Sequence, residues 1–363
     1  MRSVISAIGT AVPENKIPQK EILEFMANAH GFEGKDKTRL KALYRASGIQ
    51  TRHSVIPDYS SLNMEGWKFY PKSKDLSPFP TTQQRSLLYK ETAPDLAMQA
   101  VKNCIQKSNI KLDEVTHLIT ISCTGMYAPG LDINLVNGLK LRPNVQRTCI
   151  NFMGCYAAIT GIRTADAFCK ADSKAKVLVV STELCTIHFQ NKTDEDNLLA
   201  NALFSDGAAA VLMTSSEQGS KGLSPVAFHN QILNDGGENM AWNIGDFGFE
   251  MKLSSYVPNL IESGIAGMID QLKKKMGGSS IEQYAIHPGG KRILEVIEQE
   301  LNLDKNDNRY AYEVLQNYGN MSSATLIFVL EKLIEEGPIK GENCLSVAFG
   351  PGLTLESMVV EIV

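Results

Sequence analysis

Three side chains in this 363-residue sequence have the types and local settings for thioester chemistry: a cysteine, a histidine and an asparagine. Cys155 follows Cys149-Ile150-Asn151-Phe152-Met153-Gly154 and precedes Tyr156-Ala157-Ala158. That order predicts an apolar strand, a glycine turn and a small-residue helix, with the thiol at the helix N-terminus. There the unpaired N–H groups and the helix dipole favour thiolate over thiol. His287 lies in Ile286-His287-Pro288-Gly289-Gly290. Proline and glycine directly after it force a turn, which leaves the imidazole at a strand tip, where α/β sheets usually bind ligands. From there it can hold a thiolate as an ion pair or donate to a carbonyl oxygen. The amide of Asn320, in Tyr318-Gly319-Asn320-Met321-Ser322-Ser323, can join the imidazole in polarising a thioester carbonyl.

Each residue taken alone has a plainer reading. Cysteine is usually a buried small hydrophobe, a turn histidine often bonds only to backbone, and asparagine is a favoured helix N-cap. Together they describe one reaction. The cysteine takes up an acyl group as a thioester, a malonyl thioester loses CO2, and the enolate, held by neutral or cationic donors, attacks the cysteine thioester.

The elements that must carry these residues alternate between short β-branched runs and helical patterns. Val4–Ile8, Thr116–Ser122, Lys176–Val180, Ala208–Met213, Tyr284–His287, Leu345–Phe349 and Leu355–Val363 read as strands. Thr92–Lys107 reads as a helix, with Leu96, Ala97, Ala100, Val101 and Cys104 at three-to-four spacing. The alternation predicts α/β layers. The two halves share a spacing: 32 residues separate Cys123 from Cys155, and 33 separate His287 from Asn320. In both, the later residue follows a glycine and is followed by small residues that open a helix. This pattern predicts an internal duplication, with halves 1–220 and 221–363. Residues 57–84, with Pro57, Pro71, Pro78 and Pro80, read as loop, and Pro225–Pro258 as a lid or pocket wall.

Composition limits the alternatives. With 36 Lys and Arg against 40 Asp and Glu, the net charge of −4 argues against nucleic acid as the main partner. Seven cysteines with no C-x-x-C spacing make a poor disulfide framework and a poor zinc site, which predicts a reduced, cytoplasmic setting. The N-terminal stretch, broken by Pro13 and Pro18, does not read as a signal peptide. No apolar run is long enough to span a membrane.

On these motifs the sequence resembles the type III polyketide synthases, the chalcone-synthase-like branch of the thiolase superfamily. The resemblance rests on Leu141-Arg142-Pro143 leading to Met153-Gly154-Cys155-Tyr156-Ala157, and on Ala202-Leu203-Phe204-Ser205-Asp206-Gly207-Ala208-Ala209-Ala210. It continues through His287-Pro288-Gly289-Gly290, Tyr318-Gly319-Asn320-Met321-Ser322-Ser323 and Phe349-Gly350-Pro351-Gly352-Leu353-Thr354. It implies a thiolase-like duplicated αβαβα fold, a homodimer, an acyl-CoA starter loaded on Cys155 and extended by malonyl-CoA, and no cofactor beyond these substrates. It implies that His287 and Asn320 promote decarboxylation and that Phe204 and Phe249 are the family's gatekeeping phenylalanines. Cys123, Thr124 and Ser322 are expected to contact substrate. Gly289 and Gly290 are expected at the CoA, together with Lys41 and Arg45 of a basic stripe that begins at Lys37. Where plant members usually carry threonine and methionine, this chain has Cys123 and Ala128. Those departures point away from chalcone formation and towards a pocket with room for an alkyl chain. Two other readings stand beside this one: a single-condensation ketoacyl synthase-like enzyme, and an inactive homologue serving as a binding subunit.

Overall fold

The computed structural model describes residues 2–216, 221–233, 239–254, 257–337 and 339–363. Its strands are β1 (Arg2–Ala11), β2 (Asn15–Pro18), β3 (Thr51–Ser54), β4 (His117–Ser122), β5 (Gln146–Asn151), β6 (Lys176–Leu184), β7 (Asp206–Ser216), β8 (Leu223–Ile232), β9 (Met240–Gly245), β10 (Gly248–Leu253), β11 (Gln283–Ile286), β12 (Asn343–Gly350) and β13 (Thr354–Ile362). Its helices are α1 (Gln19–Ala29), α2 (Gly34–Ala46), α3 (Thr82–Gln106), α4 (Leu131–Gly138), α5 (Ala157–Ala171), α6 (Glu195–Leu203), α7 (Val257–Lys275), α8 (Lys291–Leu301), α9 (Arg309–Tyr318) and α10 (Thr325–Glu335).

Nine strands run in the order β11-β12-β13-β8-β1-β7-β6-β4-β5. β1 and β8 meet through one residue pair, Ile5 with Leu223, so the array is two sheets joined at a seam. Outward from the seam the first sheet runs β1-β7-β6-β4-β5 and the second β8-β13-β12-β11. The relations match: antiparallel, antiparallel, then parallel in each. The duplication predicted from spacing is therefore present as a repeated topology. The division at 220/221 falls beside residues 217–220, which lie outside the described residues.

Helices α5 and α10 lie between the two sheets, α5 touching β1, β6 and β13, and α10 touching β1, β7 and β11. A helix covered on every side needs apolar residues all round. Thr325 to Leu330 of α10 are all buried. α5 uses small residues instead. A Cβ on Gly161 would lie 2.6 Å from Ile121 Cδ1 and 3.0 Å from Val179 Cγ1, so α5 approaches the first sheet closely. The outer faces are covered by α3 on β1, β6 and β7, and by α7 on β8 and β13. This is the αβαβα layering of the thiolase-like fold.

Two stretches differ from expectation. The helix predicted from Thr92 begins at Thr82, started by a capping box in which Thr81 and Gln84 bond each other's backbone, and it runs on through Pro94. The proline-rich stretch before it is packed rather than loose: Tyr59, Trp67, Tyr70 and Leu76 are buried, and the three rings surround Phe25. Pro225–Pro258 supplies a pocket wall, as the hairpin β9–β10, in addition to the sheet strand β8.

Candidate active site

Sheet topology brings the predicted residues together. β4 ends at Ser122 and β11 at Ile286, placing Cys123 and His287 at equivalent strand tips. Cys155 sits in the single turn Gly154–Tyr156 before α5, and Asn320 just ahead of the turn Ser322–Ala324 before α10. Each follows a glycine in the left-handed region, Gly154 (φ 76°) and Gly319 (φ 72°), a conformation other residues adopt at a cost. Phe152, Ser322 and Leu353 hold positive φ without being glycine. Such strain persists where surrounding structure enforces it, commonly at functional sites.

The Cys155 thiol is 3.6 Å from Ser322 Oγ and 4.0 Å from Asn320 Oδ1. Asn320 Oδ1 also accepts from the backbone N–H of Ser322 (2.8 Å), so the amide does cap the turn. That bond fixes which way the amide faces, and Nδ2 donates to the carbonyl of Gly289 (3.2 Å), two residues beyond His287. His287 is wholly buried, and neither ring nitrogen has a hydrogen-bond partner. Its ring meets Phe349 edge-on at 5.4 Å. A Cβ on Gly350 would come within 3.3 Å of the Cys155 nitrogen, and one on Gly154 within 2.3 Å of Pro351 Cδ. The Phe349–Thr354 motif is thus the shelf against which the cysteine turn is pressed.

Electrostatics differ from the helix-terminus expectation. Burial pushes the Cys155 thiol up to about 12, opposed by its bonds to Ser322 and Asn320. Burial holds His287 down to about 3. Shifts in these directions favour the neutral thiol and the neutral imidazole, and no Cys155–His287 hydrogen bond is formed. The helix N-terminus alone does not outweigh desolvation here.

The main cavity is lined by Cys155, Cys123, Thr124, Phe204, Phe249 and Ser322 among others, so the expected substrate contacts fall on one wall system. Ala128 is exposed and does not line it. A second cavity is lined by Gly289 and Gly290 with Leu43, Ala46 and Ser47 near the end of α2. Lys41 and Arg45 stand exposed on α2 and do not line that cavity, whereas Lys291 and Arg292 do. Lys37 is paired with Glu24 (2.7 Å).

Several site residues were not anticipated. Glu183, fully buried on β6, accepts from the Cys123 backbone (3.0 Å), from Thr124 Oγ1 (2.7 Å) and from Ser323 Oγ. Burial raises its pKa, opposed by those hydrogen bonds. His188 stacks on Phe249 (4.2 Å, 10°) and meets Trp242 edge-on (5.5 Å, 89°). One ring nitrogen pairs with the Thr124 carbonyl (2.6 Å) and the other accepts from the Phe249 N–H (3.0 Å), which only a neutral ring protonated at Nε2 can satisfy. Burial depresses its pKa to about 3. Trp242 Nε1 donates to the Cys123 carbonyl (2.6 Å). Together these bonds fasten the β9–β10 wall to the tip of β4. Among the described residues no group of His, Cys, Asp and Glu has metal-binding geometry, and no helix is long and apolar enough to cross a membrane.

Comparison with known proteins bears on this geometry. A family model for the N-terminal domain of chalcone and stilbene synthases matches residues 2–217, and one for their C-terminal domain matches residues 226–363. Type III polyketide synthase A of Arabidopsis thaliana is 29% identical over 99% of this chain and 92% of its own length. The alpha-pyrone synthesis polyketide synthase-like Pks18 of Mycobacterium tuberculosis is 29% identical over 99% of this chain and 91% of its own. Probable polyketide synthase 1 of Dictyostelium discoideum is 29% identical over 98% of this chain, which spans only 11% of that longer protein. Among solved structures, the C-terminal type III polyketide synthase domain of the Dictyostelium hybrid Steely1 superposes with a TM-score of 0.93 at 29% identity, each chain covered in full. PKS-I of the brown alga Ectocarpus siliculosus gives 0.93 at 26% identity, covering 100% of this chain and 98% of that one.

Proposed function

The chain belongs to the chalcone and stilbene synthase family of type III polyketide synthases, which are acyltransferases, and from that premise we propose that it loads an acyl-CoA starter on Cys155 and extends it repeatedly with malonyl-CoA. The observation that carries this reading is a pair of groups at the two helix-entry turns: an amide 4.0 Å from the thiol whose orientation is fixed by its own turn, and a fully buried imidazole with two unpartnered nitrogens, two residues before the glycine whose carbonyl that amide holds.

In the loading step, Cys155 Sγ attacks the starter thioester carbonyl. Its proton passes to His287 and then to the departing CoA sulfur. In the extension step, malonyl-CoA places its thioester oxygen against the His287 N–H and Asn320 Nδ2. Cleavage of the bond to the carboxylate releases CO2, and its electron pair becomes an enolate whose charge rests on that oxygen. The enolate carbon attacks the Cys155 thioester, a carbon–carbon bond forms, and the cysteine sulfur leaves. A neutral imidazole suits this role, because it keeps an N–H to donate while carrying no charge that would hold the malonyl carboxylate in place. The released Cys155 thiolate takes up a proton from solvent, and the extended chain, now a CoA thioester, is loaded back onto Cys155 with release of CoA before the next extension.

Access through the second cavity would bring CoA past Gly289 and Gly290 with Lys291 and Arg292 in its lining, and Lys41 and Arg45, exposed on α2, would be a further source of positive charge for the CoA phosphates. Phe204 and Phe249 would stand at the neck of the main cavity. The acting form is a homodimer of chains divided near 220/221, in a cytoplasmic compartment that suits seven unpaired cysteines. Release by ring closure gives a pyrone, a resorcinol or a phloroglucinol-type product. Mass spectrometry of products from malonyl-CoA with acetyl, medium-chain, long-chain and p-coumaroyl starters tests the reading. Two or more added ketide units are expected. A single added unit, or turnover only with a carrier protein, would replace it with a single-condensation enzyme.

A further inference from the structure

Asn320 needs more than its own turn to stand where it does, and the residue that holds it from outside is a buried arginine in the proline-flanked segment at the other end of the chain. Arg52, on β3, is 3% exposed and lines the main cavity. Its Nη1 donates to the carbonyls of Asn201 (2.8 Å) and Phe204 (2.7 Å). Its Nε donates to Gln19 Oε1 (2.8 Å), and Gln19 Nε2 donates in turn to the Ala202 carbonyl (2.8 Å). The Leu203 carbonyl accepts from the backbone N–H of Asn320 (3.0 Å). Four consecutive carbonyls at the end of α6, groups that a helix cannot satisfy internally, are thus taken by Arg52, Gln19, Asn320 and Arg52 again. The Asn320 carbonyl completes the link by accepting from Ser205 (2.8 Å). On the other side, a Cβ at Gly319 would lie 3.0 Å from Arg52 Cγ and 3.2 Å from Cδ. The arginine stem therefore lies directly beneath the residue before Asn320.

The charge of Arg52 is as unusual as its position. Among the described residues no carboxylate comes within salt-bridge distance of it, and its Nη2 has no hydrogen-bond partner. The buried carboxylate of Asp206 attracts it from beyond salt-bridge distance; a cation buried with no direct ion pair is costly, and that attraction and the negative end of α6 offset part of the cost. Meanwhile the groups that receive the enolate, His287 and Asn320, are neutral. We propose that Arg52 is a positioning residue for Asn320 and that its buried charge stabilises the enolate formed there. This inference rests on the decarboxylation proposed above. The field of a charge joined to Asn320 through the Phe204 backbone is little screened in a buried site.

Steady-state malonyl-CoA decarboxylation, followed with the rate of Cys155 alkylation by iodoacetamide, tests this. In Arg52→Met the kcat for decarboxylation is expected to fall about 10- to 100-fold, with KM for malonyl-CoA moving less than about threefold. Cys155 alkylation should match the wild type, and Arg52→Lys should recover part of the loss. Gln19→Leu frees Nε without changing charge or cavity lining and should cost about three- to tenfold in the same kcat. It carries the test if Arg52→Met does not fold. Wild-type kcat in Arg52→Met or in folded Gln19→Leu overturns the inference while leaving the synthase reading intact. So does a loss of decarboxylation matched by an equal loss of alkylation. A wild-type protein that does not decarboxylate malonyl-CoA removes both.

Discussion

The tips of β4 and β11 are copies of one structural position, yet they are finished in opposite ways. At the β4 tip everything is bonded. The Cys123 N–H reaches Glu183, its sulfur lies 3.1 Å from Ser322 Oγ, and its carbonyl accepts from Trp242. At the β11 tip the backbone is bonded, His287 N–H to Val347 O at 2.8 Å, but the side chain is not. Buried polar atoms in folded proteins are nearly always paired, and an exception asks for an explanation. The duplicated fold thus gave two equivalent strand tips, one closed off by hydrogen bonds and one left with a buried side chain whose hydrogen bonds are unmet. In the proposed reaction the same division separates the two residues that open the central helices: Cys155 would supply the reacting sulfur, and Asn320 a donor whose present partner, the Gly289 carbonyl, a substrate oxygen would replace.

The comparison breaks first at Cys155. Cys155→Ala should abolish chain extension, read as loss of all extended products by mass spectrometry, while decarboxylation of malonyl-CoA continues. No residual decarboxylation would mean that the β11 half cannot act alone. His287→Ala and Asn320→Ala should each lower decarboxylation by about 100- to 1000-fold, the usual cost of removing a donor to a developing oxyanion. Rates within about threefold of wild type would show that the unpaired imidazole is only a packing defect.

Protonation sharpens the contrast. With the thiol pushed up to about 12 and His287 held near 3 by burial, the resting pair is neutral throughout the ordinary range. Thiolate, the species that iodoacetamide traps, then grows about tenfold per pH unit below the thiol pKa. Alkylation of Cys155 in the free enzyme should rise steadily from pH 7 to 10. A plateau already reached at pH 7 would instead reveal a standing Cys155–His287 ion pair.

The long apolar signals were the readable part of this fold. β1, β4, β7, β12 and β13 lie where β-branched runs placed them, and the Gly-Cys and Gly-Asn turns fall at the expected helix entrances. What escaped was polar and buried. β6 was expected to end at Val180 but continues to Leu184, because Ser181 and Glu183 look like a strand end until Ser323 and Thr124 are there to bond them. The first turns of α3 were hidden by the preceding prolines and by Pro94. His188 and Arg52 carry no motif at all. Each is recognisable only from the distant groups that meet it, Phe249 and Trp242 for one, Gly319 and Phe204 for the other. Local pattern identifies surfaces that repeat, whereas a satisfied polar network depends on partners far away in sequence, as the Thr124 and Phe249 contacts of His188 and the Phe204 contact of Arg52 are.

His188 offers the next-smaller effect. It plugs the β4 side of the cavity, and His188→Ala removes a stacked ring and two hydrogen bonds, each worth about 1 kcal/mol net. The β9–β10 wall should loosen, lowering the melting temperature by a few degrees (about 2–4 °C per kcal/mol at larger domain sizes), and the product distribution should move to chains with more ketide units. An unchanged product profile would show that the ring bounds no space the growing chain uses.

The smallest expected change tests the comparison most directly. Cys123 is the positional counterpart of His287, and it sits on the same serine hydroxyl as the nucleophile, at 3.1 Å against 3.6 Å for Cys155. Proximity alone would rank it with the reacting groups. Its saturation argues otherwise: Glu183 and Ser322 already occupy it, and burial with the Glu183 charge beside it keeps its thiol well above the usual cysteine range. Cys123→Ala should therefore change malonyl-CoA decarboxylation by less than about threefold, leave loading on Cys155 intact and cost about 1 kcal/mol of stability through the lost sulfur contacts. If its decarboxylation rate instead falls as far as that of His287→Ala, hydrogen-bond saturation does not separate scaffold from chemistry in this duplicated site, and both strand tips belong to the reaction.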